Sequence, residues 1–278
     1  MYSTQTHKPA TVISTYLVGI VALVFFLFPI VWMVLTSFKH RVDAFTSTPT
    51  WLFQPTLENY KDVLIDRGFL GYLLNSIFTG GIATLLTLIL GVMVAYPLAR
   101  YDLKGGNQIT SWILSLRIIP PIVAVVPLYI FFSRIGLVDT YAGLIIMYTF
   151  MNLPLVIWML RGFFADIPRE LEEAALVDGA SALGTFFRVV LPLVGPGLIS
   201  AGMLAFIFCW NEFLFANVLS AANVRTAPVG LTEYATPVSV LWTQIMAAGT
   251  VVVLPVVIAG IFIQRYLVRG LTMGAVKG

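Results

Sequence analysis

Residues able to do chemistry are scarce in this sequence, and one segment sets six of them on a short helical pattern. From Asp166 to Ser181 the chain carries Asp166, Arg169, Glu170, Glu172, Glu173 and Asp178, interleaved with Ile167, Leu171, Ala174, Ala175 and Gly179. Elsewhere the candidates are isolated. Cys209 cannot form an internal disulfide, and with His7 and His40 it offers no metal-ligand spacing. No Gly-Lys dipeptide occurs, so the chain lacks a phosphate-binding P-loop of its own. No nucleophile–base pair is evident, and no chain of buried carboxylates and histidines suggests a proton relay. The chemistry within reach is recognition, by an acidic helical surface and by single ionisable groups set in apolar surroundings.

Those surroundings define the class. Of 278 residues, 59% are hydrophobic and 10% charged, with a mean hydropathy of +0.94. An ordinary soluble domain is nearer 45–50% apolar and about 25% charged. This chain cannot cover itself with polar surface and reads as an all-α integral membrane protein. Its net charge of +3 rests on 16 Lys and Arg scattered through loops, which suits orientation in a bilayer better than nucleic-acid binding. No cleavable leader is evident, because the first apolar stretch is too long for a signal core.

Charge-free gaps give the expected topology. None of Lys, Arg, Asp or Glu occurs between Lys8 and Lys39, Arg67 and Arg100, Asp139 and Arg161, Arg188 and Glu212, or Glu233 and Arg265. A sixth stretch, from Gly105 to Ser133, holds only Arg117. Each gap exceeds the roughly 20 residues needed to span a bilayer core. The expectation is six transmembrane helices near residues 12–37, 71–98, 109–133, 141–163, 196–219 and 245–266, forming one membrane domain over 1–278. An even count puts both termini on one side, with nine cations there and six opposite. The positive-inside rule then predicts cytoplasmic termini, by a modest margin. Outer loops fall near 39–70 and 220–244, and a cytoplasmic loop near 164–195.

The cytoplasmic loop reads as helix–turn–helix. Asp166 is a candidate N-cap and Pro168 suits a first turn. Glu170, Glu172 and Glu173 suit the N-terminal end of the helix dipole. Gly179 fits a position needing positive φ, and Ser181 can cap a second helix ending near Leu191 and Pro192. Ile167, Leu171, Ala174 and Ala175 fall on one stripe whose small side chains permit close approach. Composition alone leaves two readings open: an interfacial hairpin packed on its own bundle, or a docking hairpin for a partner.

Within the predicted spans, Glu212 follows Trp210 and Asn211. An ionisable group there is costly unless it faces a cavity or a partner. It can line a pathway, with Trp210 offering an aromatic face to what passes, or it can pair structurally while Trp210 belongs to an interfacial belt. Arg117 precedes Pro120 and Pro121, which should break or kink the third span, and Pro127 adds a weak point. Broken helices at membrane depth often line transport sites, though Arg117 bonding freed carbonyls at an ordinary kink fits equally. Asn152, Pro154 and Trp158 on the fourth span are further pathway candidates.

Glu173-Ala174-Ala175, then Gly179, Val189, Leu191 and Pro192 at fixed spacing resemble the coupling motif of ABC importer permeases, with Val189 where the family usually has Ile. Thr36-Ser37-Phe38-Lys39, Leu57-Glu58-Asn59-Tyr60, Trp210-Asn211-Glu212-Phe213 and the closing run from Gly270 to Gly278 are similar to carbohydrate-importer permeases of the maltose-permease type. The resemblance covers nearly the whole chain. It implies a type I ABC importer permease fold and a subunit of a sugar importer working by alternating access. It also implies a cytoplasmic membrane of a bacterium or archaeon. Partners would be a second permease, two ATPase subunits carrying ATP and Mg, an extracytoplasmic solute-binding protein, the sugar, and membrane lipid. No cofactor is expected on this chain, which would not itself be an enzyme.

By the same resemblance, Glu172, Glu173, Ala174, Ala175, Asp178, Gly179, Ala180, Leu191 and Pro192 couple to the ATPase. The resemblance further implies that Thr226, Pro228, Val229 and Gly230 would contact the binding protein and that the C-terminal tail would reach the ATPase dimer. The rivals are an ABC permease for another solute such as glycerol phosphate, which would want more pathway cations than Arg117, and an ion-driven carrier, disfavoured by so few ionisable groups.

Overall fold

The computed structural model describes residues 9–46, 48–235 and 240–275, with side chains described over 14–46, 48–235 and 240–262. Ten helices carry the architecture: α1 (Pro9–Ser37), α2 (Phe69–Arg100), α3 (Gly106–Ser115), α4 (Pro121–Arg134), α5 (Tyr141–Ala165), α6 (Arg169–Val177), α7 (Ala182–Leu193), α8 (Gly195–Trp210), α9 (Leu214–Leu219) and α10 (Trp242–Ala275). The chain divides into two compact units, one of residues 1–68 with 234–251 and one of residues 69–233 with 252–278. The division falls inside α10.

Four stretches among the described residues are long and apolar enough to cross a membrane: Ser14–Ser37, Phe69–Arg100, Tyr141–Ala165 and Trp242–Phe262. A fifth arises if α7 and α8, bent by 70° at Val194, form one span. The six expected spans are interrupted at two places, the first of them the break expected at the paired prolines. The span expected at 109–133 is split into α3 and α4, because Pro120 and Pro121 supply no N–H to continue the ladder. Pro127 leaves α4 uninterrupted. The span expected at 196–219 is split between Trp210 and Leu214, a break with no proline in it.

The second unit is built on α2 and α5, with α8 packed on both. The buried face of α2 consists largely of small residues, Ser76, Thr79, Gly80, Ala83, Thr87, Gly91 and Ala95. Inside a bilayer, where lipid is as apolar as leucine, helix association depends on close contact, and small residues permit it. A Cβ on Gly91 would lie 2.7 Å from Val156 Cγ1, and one on Gly202 would lie 2.9 Å from Leu88 Cδ1. The hydroxyls of Thr79, Thr84 and Thr87 donate to carbonyls four residues back, at 2.7 Å each, which satisfies them without water.

At the end of this unit remote from α6, Asp139 joins two loops. Its φ of 58° is left-handed, a conformation aspartate tolerates better than most residues. Its N–H donates to the Leu219 carbonyl at 2.7 Å. Its carboxylate accepts from the N–H groups of Ala221 at 2.8 Å, Asn223 at 3.2 Å and Val224 at 3.3 Å, and from the Asn223 amide at 2.8 Å. Burial alone would raise the Asp139 pKa, but these hydrogen bonds outweigh it and hold the carboxyl below the usual carboxylate range. A depressed folded-state pKa means the stabilisation is present above the ordinary aspartate range and is lost as pH falls through the lower, folded value. Amide exchange at Ala221 and Asn223 should therefore accelerate in acid beyond its intrinsic pH dependence. In Asp139→Asn that excess acceleration should vanish.

The first unit brings two sequence motifs into one structure. The Asn59 amide donates to the carbonyls of Ser37 and Lys39, both at 2.8 Å, and the Ser37 and Tyr60 hydroxyls meet at 2.6 Å. Thr56 N–H donates to the Phe38 carbonyl at 2.8 Å. The end of α1 is thereby closed by the segment 56–60, whose polar side chains satisfy carbonyls that would otherwise be orphaned. Along residues 16–28, α1 exposes its apolar side chains all round.

Candidate coupling hairpin and pathway site

The helix–turn–helix read from the sequence is present as α6, a turn, and α7. Its details differ at the start. Asp166 closes α5, its N–H donating to the Gly162 carbonyl at 3.1 Å, and Pro168 occupies the N-cap of α6 with no side-chain cap. The turn is as expected. Gly179 has φ 87°, its N–H donates to Leu176 O at 3.1 Å, and Ala180 N–H donates to Ala175 O at 3.0 Å. That pair of bonds is the Schellman arrangement, which needs a left-handed residue at its centre. Ser181 Oγ accepts from Gly184 N at 3.1 Å and caps α7. Five π-helical residues, Phe186–Val190, follow without ending the helix.

The nine predicted coupling residues divide by exposure. Glu173, Ala174, Asp178, Gly179 and Pro192 are exposed; Ala175, Ala180 and Leu191 are half-buried. The expected apolar stripe is split, because Ile167 is buried with Leu160, Phe164 and Val190 while Leu171 is exposed. The exposed residues of the hairpin include Leu176, Val177, Leu183 and Phe187 as well as Glu173 and Asp178.

Glu172 faces the other way. Its carboxylate is 2.5 Å from Arg100 Nε, with the two side chains 14% and 6% exposed, and it accepts from Tyr96 Oη at 2.9 Å. The Tyr96 ring packs on Phe186 and Phe164, with centroids 4.8 and 5.4 Å away. Arg100 ends α2, so one ion pair ties the hairpin to the longest helix of this unit. Sequence reading placed Glu172 in the hairpin but gave Tyr96 and Arg100 no role. They lie some seventy positions away, and only folding shows the pairing.

The pathway candidates do not form one cluster. Arg117 lies in the break between α3 and α4, its guanidinium 5.0 Å from the Phe208 ring. It lines a cavity of about 240 Å³ together with Pro121, Met147, Phe150, Met151, Pro154 and Phe215. Pro120 caps α4. Trp158 instead lines a different groove, of about 480 Å³, with Leu98, Arg161 and Asp166 near the hairpin. Asn152 is buried, its amide donating to the Tyr148 carbonyl at 2.9 Å and the Cys209 thiol at 3.3 Å.

Trp210 is buried too, at 1% exposure, and its Nε1 donates to the Val252 carbonyl at 3.0 Å. Its ring is spent on packing, so the expected aromatic face for a sugar is corrected here. Asn211 is exposed and bonds back to the Ile207 carbonyl at 2.8 Å. Glu212 accepts from Phe215 N at 2.9 Å and Ala216 N at 2.8 Å. These are the orphan donors of the first turn of α9, so the carboxylate caps that helix, and the negative charge suits the positive end of its dipole. Arg117 and Glu212 form no ion pair among the described residues.

Of the four expected binding-protein contacts, Thr226, Val229 and Gly230 are buried and Pro228 is half-buried, which corrects that assignment. The segment is held inward: Ala227 N donates to Ser76 Oγ at 2.8 Å, Asn75 Nδ2 donates to the Arg225 carbonyl at 3.0 Å, and Arg225 pairs with Glu233. A Cβ on Gly230 would fall 2.3 Å from the Tyr72 ring and 3.1 Å from Phe69. Gly230→Ala should cost about 1–3 kcal/mol through overpacking, read as a lowered thermal midpoint of the purified chain. The exposed residues of this loop include Ala221 to Asn223, Thr232 and Ala235. The tail assigned to an ATPase contact begins where side chains are no longer described, and residues 276–278, with Lys277 of the charge tally, lie outside the described residues, as does Lys8.

Residues 87–273 match the family model described as "Binding-protein-dependent transport system inner membrane component". The trehalose/maltose transport system permease protein MalG of Thermococcus litoralis is 38% identical over 91% of this chain and 92% of its own length. The sulfoquinovosyl glycerol transport system permease protein SmoH of Agrobacterium fabrum is 38% identical over 91% and 89%. The trehalose transport system permease protein SugB of Mycobacterium tuberculosis is 37% identical over 96% of both chains. Among solved structures, a chain of a bacterial ABC transporter importing alginate superposes with a TM-score of 0.76 over 96% of this chain, at 23% identity. A chain of the MetNI methionine transporter in an inward-facing form gives 0.58 over 74%, at 20% identity. The backbone is thus the type I importer permease fold, and the matched span carries both the hairpin and the broken helices. This chain belongs to the family of binding-protein-dependent transport system inner membrane components.

Proposed function

We propose that the chain is one permease subunit of an ATP-driven sugar importer in a cytoplasmic membrane, with its termini and hairpin on the cytoplasmic side. A second permease completes the pathway, two partner ATPases hold ATP and Mg, and an extracytoplasmic binding protein delivers the sugar. Relatives named for trehalose, maltose and sulfoquinovosyl glycerol transport support the substrate class. The observation that carries the mechanism is the buried Glu172–Arg100 pair beneath an exposed apolar and acidic face. Leu176, Val177 and Phe187 would seat in an ATPase cleft while Glu173 and Asp178 meet its cations. Closure of the ATPases then pulls α6, and the ion pair passes that displacement to α2. The breaks at residues 116–120 and 211–213 give the spans places to bend, with Arg117 and Asn211 available to a passing polyol.

Purification of the chain from its native membrane in mild detergent tests this directly. The expected result is recovery of a second permease and an ATPase whose hydrolysis rises with one sugar-loaded binding protein. A chain that purifies alone and transports alone after reconstitution would overturn the reading. Gly179→Val serves as the internal check. The site has open space around it, so the substitution strains only the turn, by about 1–2 kcal/mol, while placing bulk on the docking face. ATP hydrolysis should persist and uptake should fall.

A further inference from the structure

A cavity of about 300 Å³ lies wholly within the first unit, where α1 ends. It is lined by Trp32 and Thr36 of α1, by Lys39, Asp43 and Thr50 of the following segment, and by Trp242 at the start of α10, among others. Lys39 is only 2% exposed. Among the described residues its ammonium has no ion-pair partner; its neighbours are the faces of Trp32 at 4.2 Å and Phe53 at 5.3 Å. Thr36 is 6% exposed, and its hydroxyl has no hydrogen-bond partner among the described residues. Burial pulls the Lys39 ammonium below its ordinary pKa, with Asp43 opposing. A buried ammonium without an ion-pair partner and a buried hydroxyl without an acceptor are costly, and the cavity beside them is where an acceptor fits.

The setting narrows the ligand. Lys39 follows directly on the apolar stretch Ser14–Ser37, so it stands at headgroup level, where tryptophans gather. Below it α1 presents Phe28, Phe25 and Val21 outward, a track suited to an acyl chain. A free sugar or free phosphate would use the polar lining and leave that track idle. Asp43 would repel a purely anionic group and attract an amine. We infer that this cavity holds the headgroup of a zwitterionic aminophospholipid, the phosphodiester on Lys39 and Thr36 and the amine on Asp43, with the chains lying along α1. The inference does not depend on what the protein transports.

Native mass spectrometry of the full chain, titrated with phosphatidylethanolamine or phosphatidylglycerol, tests it. Wild type should retain one tightly held phosphatidylethanolamine and bind phosphatidylglycerol more weakly. Lys39→Gln should weaken phosphatidylethanolamine binding about tenfold or more, as loss of a charge-assisted hydrogen bond implies. The near-isosteric Thr36→Val should weaken it less, and Asp43→Asn should narrow the gap between the two lipids. Helicity by circular dichroism, unchanged across the set, separates these losses from misfolding. Equal lipid retention by wild type and Lys39→Gln would overturn the assignment, as would equal affinity of wild type for both lipids. Displacement of the lipid by millimolar inorganic phosphate would instead mark a soluble-anion site and overturn the lipid reading.

Discussion

Arg100→Met is expected to destabilise the protein by about 3–5 kcal/mol, because it leaves the Glu172 carboxylate buried without its counter-ion. Tyr96 would remain as a hydrogen-bond donor, which one neutral bond cannot make equal to a guanidinium. The double variant Arg100→Met with Glu172→Gln should recover much of the loss, since it removes both charges together. A thermal-unfolding cycle on the purified chain measures the coupling between the two positions. In a reconstituted transporter the double variant supplies the more informative result. Its hairpin still has its turn and its exposed face, so ATP should be hydrolysed, but the tie to α2 is gone and less sugar should enter per ATP. A coupling energy near zero, or an unchanged transport ratio in the double variant, would leave the ion pair with no part in transmission.

Glu212→Leu should have the second large effect, a loss of roughly 2–4 kcal/mol from two N–H groups left without acceptors. Glu212→Gln keeps one oxygen in place and should cost nearer 1 kcal/mol, a gap readable as thermal midpoints of the two purified variants. This ordering separates a helix cap from a sugar contact. If Glu212 served the substrate, Gln and Leu would both lower apparent sugar affinity while stability stayed level. As a cap, it holds the first N–H groups of α9. Glu212→Leu should accordingly lower amide protection at Phe215 and Ala216, which lose their acceptor. Protection unchanged from wild type would remove the carboxylate as the cap of α9.

Much of this protein was legible in its residues because the bilayer imposes few options. Long charge-free runs must become helices, since no other single segment can satisfy its own backbone in lipid. Local rules also held where they concern neighbours in sequence: Gly179 took the left-handed turn, Ser181 capped α7, and Pro120 with Pro121 split the third span. The break after Trp210 was not legible. It contains no proline, and the carboxylate that caps the helix beyond it by reaching forward three and four residues looks in sequence like any intramembrane acid.

Side-chain direction was the other matter left to tertiary structure. Glu172 and Glu173 are adjacent and chemically alike, yet one is held by Arg100 and Tyr96 while the other is exposed. Trp210 suits a sugar's face by type, but packing and the Val252 carbonyl claim it. Thr226 and Gly230 sit in a loop that reads as exposed, and Ser76 and Tyr72 draw it inward. Sequence by itself determined the class, the helical hairpin and the turn that closes it, because those follow from hydropathy and local backbone conformation. Which side chain meets a partner and which meets its own fold depends on residues some forty to a hundred and sixty positions away, and only packing brings them into contact.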